Sequence, residues 1–305
     1  MIMSETALLF SGQGSQYAGM GKDLVENYST AKKIFTLANE ILGFDLREKI
    51  DSGQLENTLL AQPAIFAVSV AALACAKEKG IEFSAVAGHS LGEYAALVAC
   101  GAVSLEDGFR LIKIRSEIMH EAATGSTGGM AAVIGGDSKL IEEVCREINA
   151  AGDYITPANF NSPSQTVVAG TITALVKAEV IFPKRGAKRF MLLNVAAAFH
   201  SELMKSAAEK FKSLINNISF REPDVPFYSN LTGGRLSDFS DMPDYLSRHI
   251  CSPVRFTDEL YAMKNDGYGT FLELGPGKTL VGLVKKTLPD TKTCNIGDML
   301  DFSGN

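Results

Sequence analysis

Several absences narrow the function of this chain before any motif is considered. The longest apolar run, Pro63 to Ala76, is short for a bilayer span and is interrupted by Ser69, so it reads as a buried helix. The N-terminus, Met1 to Gly14, has no charged segment followed by a long apolar one, and no secretory signal is expected. Positive charge is in deficit: 29 Lys and Arg against 35 Asp and Glu give a net charge of −6. That balance excludes a global attraction to nucleic acid or to anionic membranes. The five cysteines (75, 100, 145, 251 and 294) are odd in number, scattered, and never spaced C-x-x-C. They read as small buried residues in a reducing compartment, not as disulfides or metal ligands. What these exclusions leave is a cytoplasmic enzyme, metal-free, of ordinary composition, 46% apolar and 21% charged.

At 305 residues the chain suggests one large domain with an insert, or two domains. A short apolar strand, Thr6 to Phe10, ends in a polar glycine loop, Ser11 to Gln16. The loop lacks the Lys-Ser/Thr ending of a P-loop and does not fit G-x-G-x-x-G, so a phosphate cradle is excluded. Helical patterning follows over 22–42 and 61–79, then a strand over 83–88 and helices near 91–100 and 105–123. Composition shifts at Gly125-Ser126-Thr127-Gly128-Gly129, a flexible linker signal. Beyond it come a strand at 130–134, a helix at 138–150, strands near 154–159 and 165–169, a helix at 171–182 and a strand at 189–194. The order β-α-β-β-α-β is that of a ferredoxin-like unit, which places an inserted small domain at 127–196. Residues 1–126 and 197–305 then form one large α/β domain with a mostly parallel sheet. Its second part holds a helix at 201–214, a strand at 225–229, helices near 242–263, a strand at 269–273 and a helix after Gly275-Pro276-Gly277.

The most informative feature is Gly88-His89-Ser90-Leu91-Gly92, a G-x-S-x-G pentapeptide between an apolar strand and a helix-forming stretch. Strand, sharp turn and helix is the context in which this pattern exposes a nucleophilic serine. The two glycines let the backbone turn tightly, and the helix start behind the serine can stabilise an oxyanion. Such a serine needs a base, and the chain has four histidines. His89 is adjacent to the serine and should point away from it. His120 reads as solvated among Glu117 and Glu121, and His249 as a cation at a helix end, where the dipole favours it. His200 follows Ala196-Ala197-Ala198-Phe199, small residues that leave room for a substrate, and is the favoured general base. A triad acid is open: Asp107, Asp137 and Asp153 qualify by chain order only. Arg115 shares a helical stripe with Leu111, Ile118 and Ala122, so it turns inward. A buried guanidinium needs an anion. Two partners are open, a structural carboxylate (Glu93 or Asp107) or the carboxylate of a substrate.

Taken together, SGQGSQ at 11–16, GHSLGE at 88–93, Arg115 twenty-five residues past the serine and AAFHS at 197–201 resemble the malonyl-CoA:acyl-carrier-protein transacylase family. Supporting stretches are AQPA at 61–64, GGMAAVIG at 128–135, NFNSPSQTVVAG at 159–170, YSNLTG at 228–233, SPVRF at 252–256 and ELGPGKTL at 273–280, in register from about residue 7 to 286. The resemblance implies an α/β-hydrolase-like large domain with a ferredoxin-like insert. It implies Ser90 as nucleophile, His200 as its base, the backbone N–H groups of Gln13 and Leu91 as oxyanion hole, and Arg115 as the grip on the malonyl carboxylate. It further implies that a main-chain carbonyl, here that of His249, orients His200, which removes the need for a triad acid. The chain departs from the family pattern at His249, where many relatives carry Gln, and at Ser11, where many carry Pro. Gln62 and Asn161 match site-lining positions, and Phe199 would crowd an α-methyl branch, a discrimination of about 1–3 kcal/mol.

The activity so implied is ping-pong transfer from malonyl-CoA to holo acyl carrier protein in fatty acid biosynthesis, by a monomer without bound cofactor. Because such carriers are acidic, the basic cluster Lys184, Arg185, Lys188 and Arg189 is a candidate docking face, with Lys285 and Lys286 second. Competing readings are a serine esterase or thioesterase, an acyltransferase serving polyketide synthesis, and a non-catalytic carrier-binding protein.

Overall fold

A computed structural model describes residues 5–195 and 197–300. The first strand, Glu5–Phe10 (β1), pairs in parallel with Ala85–Gly88 (β2), with Phe10 opposite Gly88. Its side chains alternate between two apolar layers. Leu8 and Phe10 join a core with Phe66 and Ala67, whereas Ala7 and Leu9 join another with Phe256, Leu260, Leu283 and Val284. Burial on both faces is what a parallel sheet covered by helices requires. One side carries the helices Thr58–Glu78 and Gly92–Ala99, the other Phe256–Asn265 and Thr279–Thr287.

After Leu105–Ala123 the chain enters a second sheet, Gly128–Ile134 (β3), Ile155–Ser162 (β4), Gln165–Thr171 (β5) and Arg189–Leu192 (β6). Its pairs are antiparallel in the order β4-β5-β3-β6, with helices Ser138–Ala150 and Ile172–Lys184 in the intervals. Ala131 and Val133 meet those helices through Ile141, Val144, Leu175 and Phe182. Alternate residues Met130, Ala132 and Val167 turn the opposite way, into the main core. The sheet is therefore sandwiched between its own helices and the rest of the protein. A short hairpin follows, Tyr228–Ser229 (β7) with Gly234–Arg235 (β8). Tyr268–Leu274 (β9) and Lys292–Asn295 (β10) then return to complete the parallel sheet, order β10-β9-β1-β2. The fold is α/β, a parallel sheet with a separate antiparallel sheet inserted after β2, as the sequence pattern indicates.

The structure refines several of the expected elements. The apolar run near Pro63 belongs to a 21-residue helix, Thr58–Glu78, capped by Asn57. By length and composition it could cross a membrane, but 83% of its most apolar window is buried inside the protein, so it is a core helix. The helix expected over 22–42 is two, Lys22–Asn27 and Ser29–Leu42, separated by Tyr28 in extended conformation. The helices expected near 242–263 are Met242–Cys251 and Phe256–Asn265, parted where Pro253 forces Ser252 out of the helical region. The strand at 225–229 shortens to β7 plus a single parallel bridge between Phe227 and Val86. Pro226 accepts from Val86 N–H through its carbonyl but has no N–H to continue the ladder.

The segment after Pro253 joins the two sheets. Val254 pairs with β4: Phe160 N–H donates to Val254 O and Val254 N–H to Ala158 O, both at 2.8 Å. These main-chain hydrogen bonds tie the inserted sheet to the segment that leads into the helix Phe256–Asn265.

Candidate active site

Ser90 stands where β2 turns into the helix Gly92–Ala99 and has φ 52°, a left-handed conformation disfavoured for a residue with a Cβ. The flanking glycines do not take positive φ themselves. They are needed for space: a Cβ at Gly88 would lie 2.1 Å from Gly92 C, and one at Gly92 would lie 2.0 Å from Phe10 O. So the strain falls on the serine, and the glycines permit the helix to press against β1.

Ser90 Oγ is 2.7 Å from His200 Nε2. His200 also has a positive φ, 59°, and its Nδ1 lies 3.1 Å from His249 O and 3.1 Å from Ser252 O. Two carbonyls accept only from Nδ1–H, which leaves Nε2 as the acceptor facing the serine hydroxyl. No carboxylate occupies the third position. Asp137 caps the helix that follows it, Asp153 binds Thr173 and Lys177, and Asp107 binds Ser104 and Arg110. Burial, then the neighbouring Arg115 charge, push the His200 imidazole down to about 3, so it is neutral across the physiological range. The acid limb of kcat/KM for acylation, which reports the free enzyme, should therefore lie below about pH 5. A pH series checks this, and a midpoint near that of free imidazole would mean the ring is more solvated than the structure has it.

Arg115 is 1% exposed. One terminal nitrogen, Nη1, donates to Gln62 Oε1 and the other, Nη2, to Ser90 Oγ at 3.2 Å, while the guanidinium lies 5.2 Å from the centre of the Tyr94 ring. Nε has no hydrogen-bond partner. Neither structural carboxylate engages it: Asp107 is occupied elsewhere, and Glu93 acts on it only through space. The cation is thus buried with no direct carboxylate partner among the described residues, which leaves it with unmet capacity for an anion.

The cavity over Ser90 is about 410 Å³ and is walled by the loops that follow β1 and β2 and by the antiparallel sheet. The loop Gly12 to Gln16, Arg115 and Met119 come from one side, Met130, Ala132 and Asn161 from the other, with Phe199 beside His200. Asn161 Oδ1 lies 2.7 Å from His89 Nε2, so His89 turns from the serine to a structural bond, as expected. Gln62 is placed differently from the expectation. It is fully buried behind Arg115 and reaches Met119 Sδ at 3.4 Å, so it supports the arginine and does not line the cavity. The expected helix-end cation at His249 is also corrected. Its ring is completely buried, and desolvation holds it well below the ordinary imidazole value, hence neutral. Gln13 lines the cavity, and Leu91 is the first residue of the helix turn behind Ser90, with no side chain capping it. Among the described residues no group of three or more His, Cys, Asp or Glu could hold a metal ion.

Sequence reasoning missed the floor of the site. Ser90 N–H donates to Asn230 Oδ1 at 2.7 Å, and Asn230 sits among buried Glu93, Glu259 and Tyr245. Only the YSN stretch hinted at it. Ser11, the departure from a common Pro, donates to buried Glu273 at 3.0 Å and so anchors the glycine loop.

The acyl transferase domain model matches residues 7–300. The chain belongs to that family. Malonyl CoA-acyl carrier protein transacylase of Bacillus subtilis strain 168 is 41% identical over 299 residues, 97% of this chain and 94% of the relative. Among solved structures, an acyl carrier protein S-malonyltransferase from Vibrio cholerae superposes with a TM-score of 0.92 at 37% identity, covering 96% of both chains. A malonyl-transacylase in complex with a holo type II polyketide synthase acyl-carrier protein gives 0.91 at 37% identity, again covering 96% of each chain. The strained elbow, the neutral imidazole and the buried arginine described above all converge on Ser90 Oγ.

Proposed function

We propose that this protein transfers a malonyl group from malonyl-CoA to the phosphopantetheine thiol of acyl carrier protein through a malonyl-serine ester, in fatty acid biosynthesis. The observation that carries the reading is the meeting of two groups at Ser90 Oγ: His200 Nε2 at 2.7 Å and Arg115 Nη2 at 3.2 Å. A nucleophile, its base and a carboxylate-binding cation are thus within one small volume.

The steps follow from that geometry. His200 Nε2 takes the proton of Ser90 Oγ as the oxygen attacks the thioester carbonyl. The imidazolium that forms is held by the carbonyls of His249 and Ser252 on its Nδ1–H. The backbone N–H groups of Leu91 and Gln13 receive the oxyanion; removing one donor of this kind typically costs about 10²–10³ in rate. The tetrahedral intermediate collapses, the C–S bond breaks, and His200 returns the proton to the CoA thiolate. The carrier thiol then attacks the serine ester by the reverse sequence. Arg115 holds the malonyl carboxylate during both halves, and Phe199 and Met119 exclude water, which would otherwise hydrolyse the ester.

Residues 127–196 act in this reading as the inserted small domain and close the cavity over the elbow. The enzyme works as a cytoplasmic monomer. Transfer to a carrier of polyketide synthesis is a second reading, favoured by the structural neighbour solved with such a carrier; it changes the partner and not the chemistry.

Intact-mass measurement on the purified protein tests the reading. Malonyl-CoA should add one malonyl group, and holo carrier should remove it while gaining the same mass. An adduct cleared equally fast by water would mean a hydrolase, and no adduct with an unmodified carrier would end the proposal.

Among the four clustered basic residues, Arg185 is held by Glu143 at 3.3 Å and Glu147 at 2.9 Å. Lys184, Lys188 and Arg189 remain exposed. Arg189 lies opposite Ile134, on the side of β6 that faces the cavity-lining residues Ala132 and Met130. An acidic carrier docked there would present its thiol arm to the cavity mouth. Reversing charge with Lys188→Glu and Arg189→Glu should raise KM for the carrier roughly tenfold and leave that for malonyl-CoA unchanged. Steady-state kinetics with each substrate varied in turn checks this, and unaltered carrier kinetics would remove the patch.

A further inference from the structure

One fully buried side chain beneath the elbow has no part in the steps above. Asn230 directly follows β7, and its amide uses every hydrogen-bonding position it has. Oδ1 accepts from Ser90 N–H at 2.7 Å and lies 3.3 Å from His249 Nε2. Nδ2 donates to Gly88 O and to Glu259 Oε1, both at 2.6 Å. With two donors and two acceptor sites all engaged, the amide cannot flip without losing four partners. The main-chain N–H of Asn230 donates to Glu93, whose carboxylate also accepts from Tyr245 Oη.

We infer that Asn230 is a positioning residue that holds both members of the reacting pair in register. This rests on the reading of Ser90 and His200 as that pair. Two of its bonds span the elbow, to Gly88 O before the serine and to Ser90 N–H itself, as a neighbouring strand would. They hold the serine in a left-handed conformation that an L-residue otherwise leaves. The contact with His249 reaches the other member. The His249 ring rests on Asn230 while its main-chain carbonyl accepts from His200 Nδ1. One amide thus ties the backbone under the nucleophile to the backbone that orients the base. The His249 side chain, a departure from the family pattern, gains a function here: a neutral ring donating Nε2–H to Asn230.

Glu259 makes the inference testable by polarity. Its Oε1 accepts from Asn230, and its Oε2 has no partner. Asn230→Asp keeps the shape but sets an oxygen against Gly88 O and Glu259. Adding Glu259→Gln supplies a donor on the other side of that contact. Rapid-quench malonylation and labelling by a fluorophosphonate, which needs no malonyl pocket, would be followed in N230A, N230D and N230D/E259Q, beside thermal melts. N230A and N230D should each slow both reactions roughly 10–100-fold, the loss of one or two buried bonds. Half-saturation by malonyl-CoA should stay within about threefold, since the effect is on kcat and not on binding. The double variant should recover roughly fivefold or more over N230D through the coupling of neighbours.

If N230A does not fold, N230D and its partner decide. Wild-type rates in folded N230D, or a double variant no faster than N230D, overturn the inference. A wild type that labels with fluorophosphonate but never takes malonyl would sink the substrate reading alone, with the Asn230 series still judged on labelling.

Discussion

Alanine at His200 is expected to slow malonylation of Ser90 by about 10²–10⁴-fold, the range of a positioned general base. The geometry gives the reason. Ser90 Oγ has two polar neighbours, and only one, His200 Nε2 at 2.7 Å, can take a proton. The other, Arg115, donates to the oxygen and lowers its basicity. Without the imidazole the proton must leave to water through a cavity that the mechanism keeps dry. Alanine at Ser90 should abolish the adduct outright. The double variant should turn over no more slowly than the Ser90 variant, because the two side chains act as one unit. Pre-steady-state acylation read by mass checks all three. A His200 variant that acylates at the wild-type rate would mean that another group removes the proton, and no other base among the described residues contacts Ser90 Oγ.

The legible part of this protein was the part governed by local chain chemistry. Alternation in β1 and the β-α-β-β-α-β order are patterns that burial imposes on sequence, and they gave the architecture directly; the stretch 125–129, read as a flexible linker, already enters β3 at Gly128. The elbow was legible through its glycines, read as letting the chain turn tightly where neighbouring Cβ atoms would crowd it; the structure uses them for close approach, to Phe10 O above all. The break within the helical patterning of 22–42 was missed because a single residue, Tyr28, leaves the helical region.

The site was legible where a side chain was chemically conspicuous. A serine in an elbow needs a base, which pointed to His200, and a buried guanidinium needs an anion, which singled out Arg115. The base-orienting group was not legible from the residues, because a main-chain carbonyl leaves no residue type to find. Only family resemblance supplied His249, and the second carbonyl, Ser252 O, came from the structure. Asn230 escaped because its partners are 140 and 142 residues away, at Ser90 N–H and Gly88 O. Such a contact has no local period.

Arginine 115 carries the prediction that decides acyl specificity. Arg115→Ala should reduce kcat/KM for malonyl transfer by about 10–150-fold, the worth of a charge-assisted bond of 1.5–3 kcal/mol. The raw loss alone would not be diagnostic. Arg115 also donates to Ser90 Oγ and to Gln62, and its guanidinium faces Tyr94, so its removal disturbs the nucleophile and opens a void. Acetyl-CoA separates the two effects, because an acetyl group meets the same nucleophile, base and void but has no carboxylate to lose. The quantity to measure is the malonyl-to-acetyl ratio of kcat/KM, which should fall by most of that factor. Arg115→Lys should restore only part of it, since an ammonium keeps the charge but not the planar fork that matches a carboxylate. A ratio unchanged by alanine would make the arginine a support for Ser90 and Gln62. Selectivity for the dicarboxylate would then have to come from the cavity walls, where no second buried cation stands among the described residues.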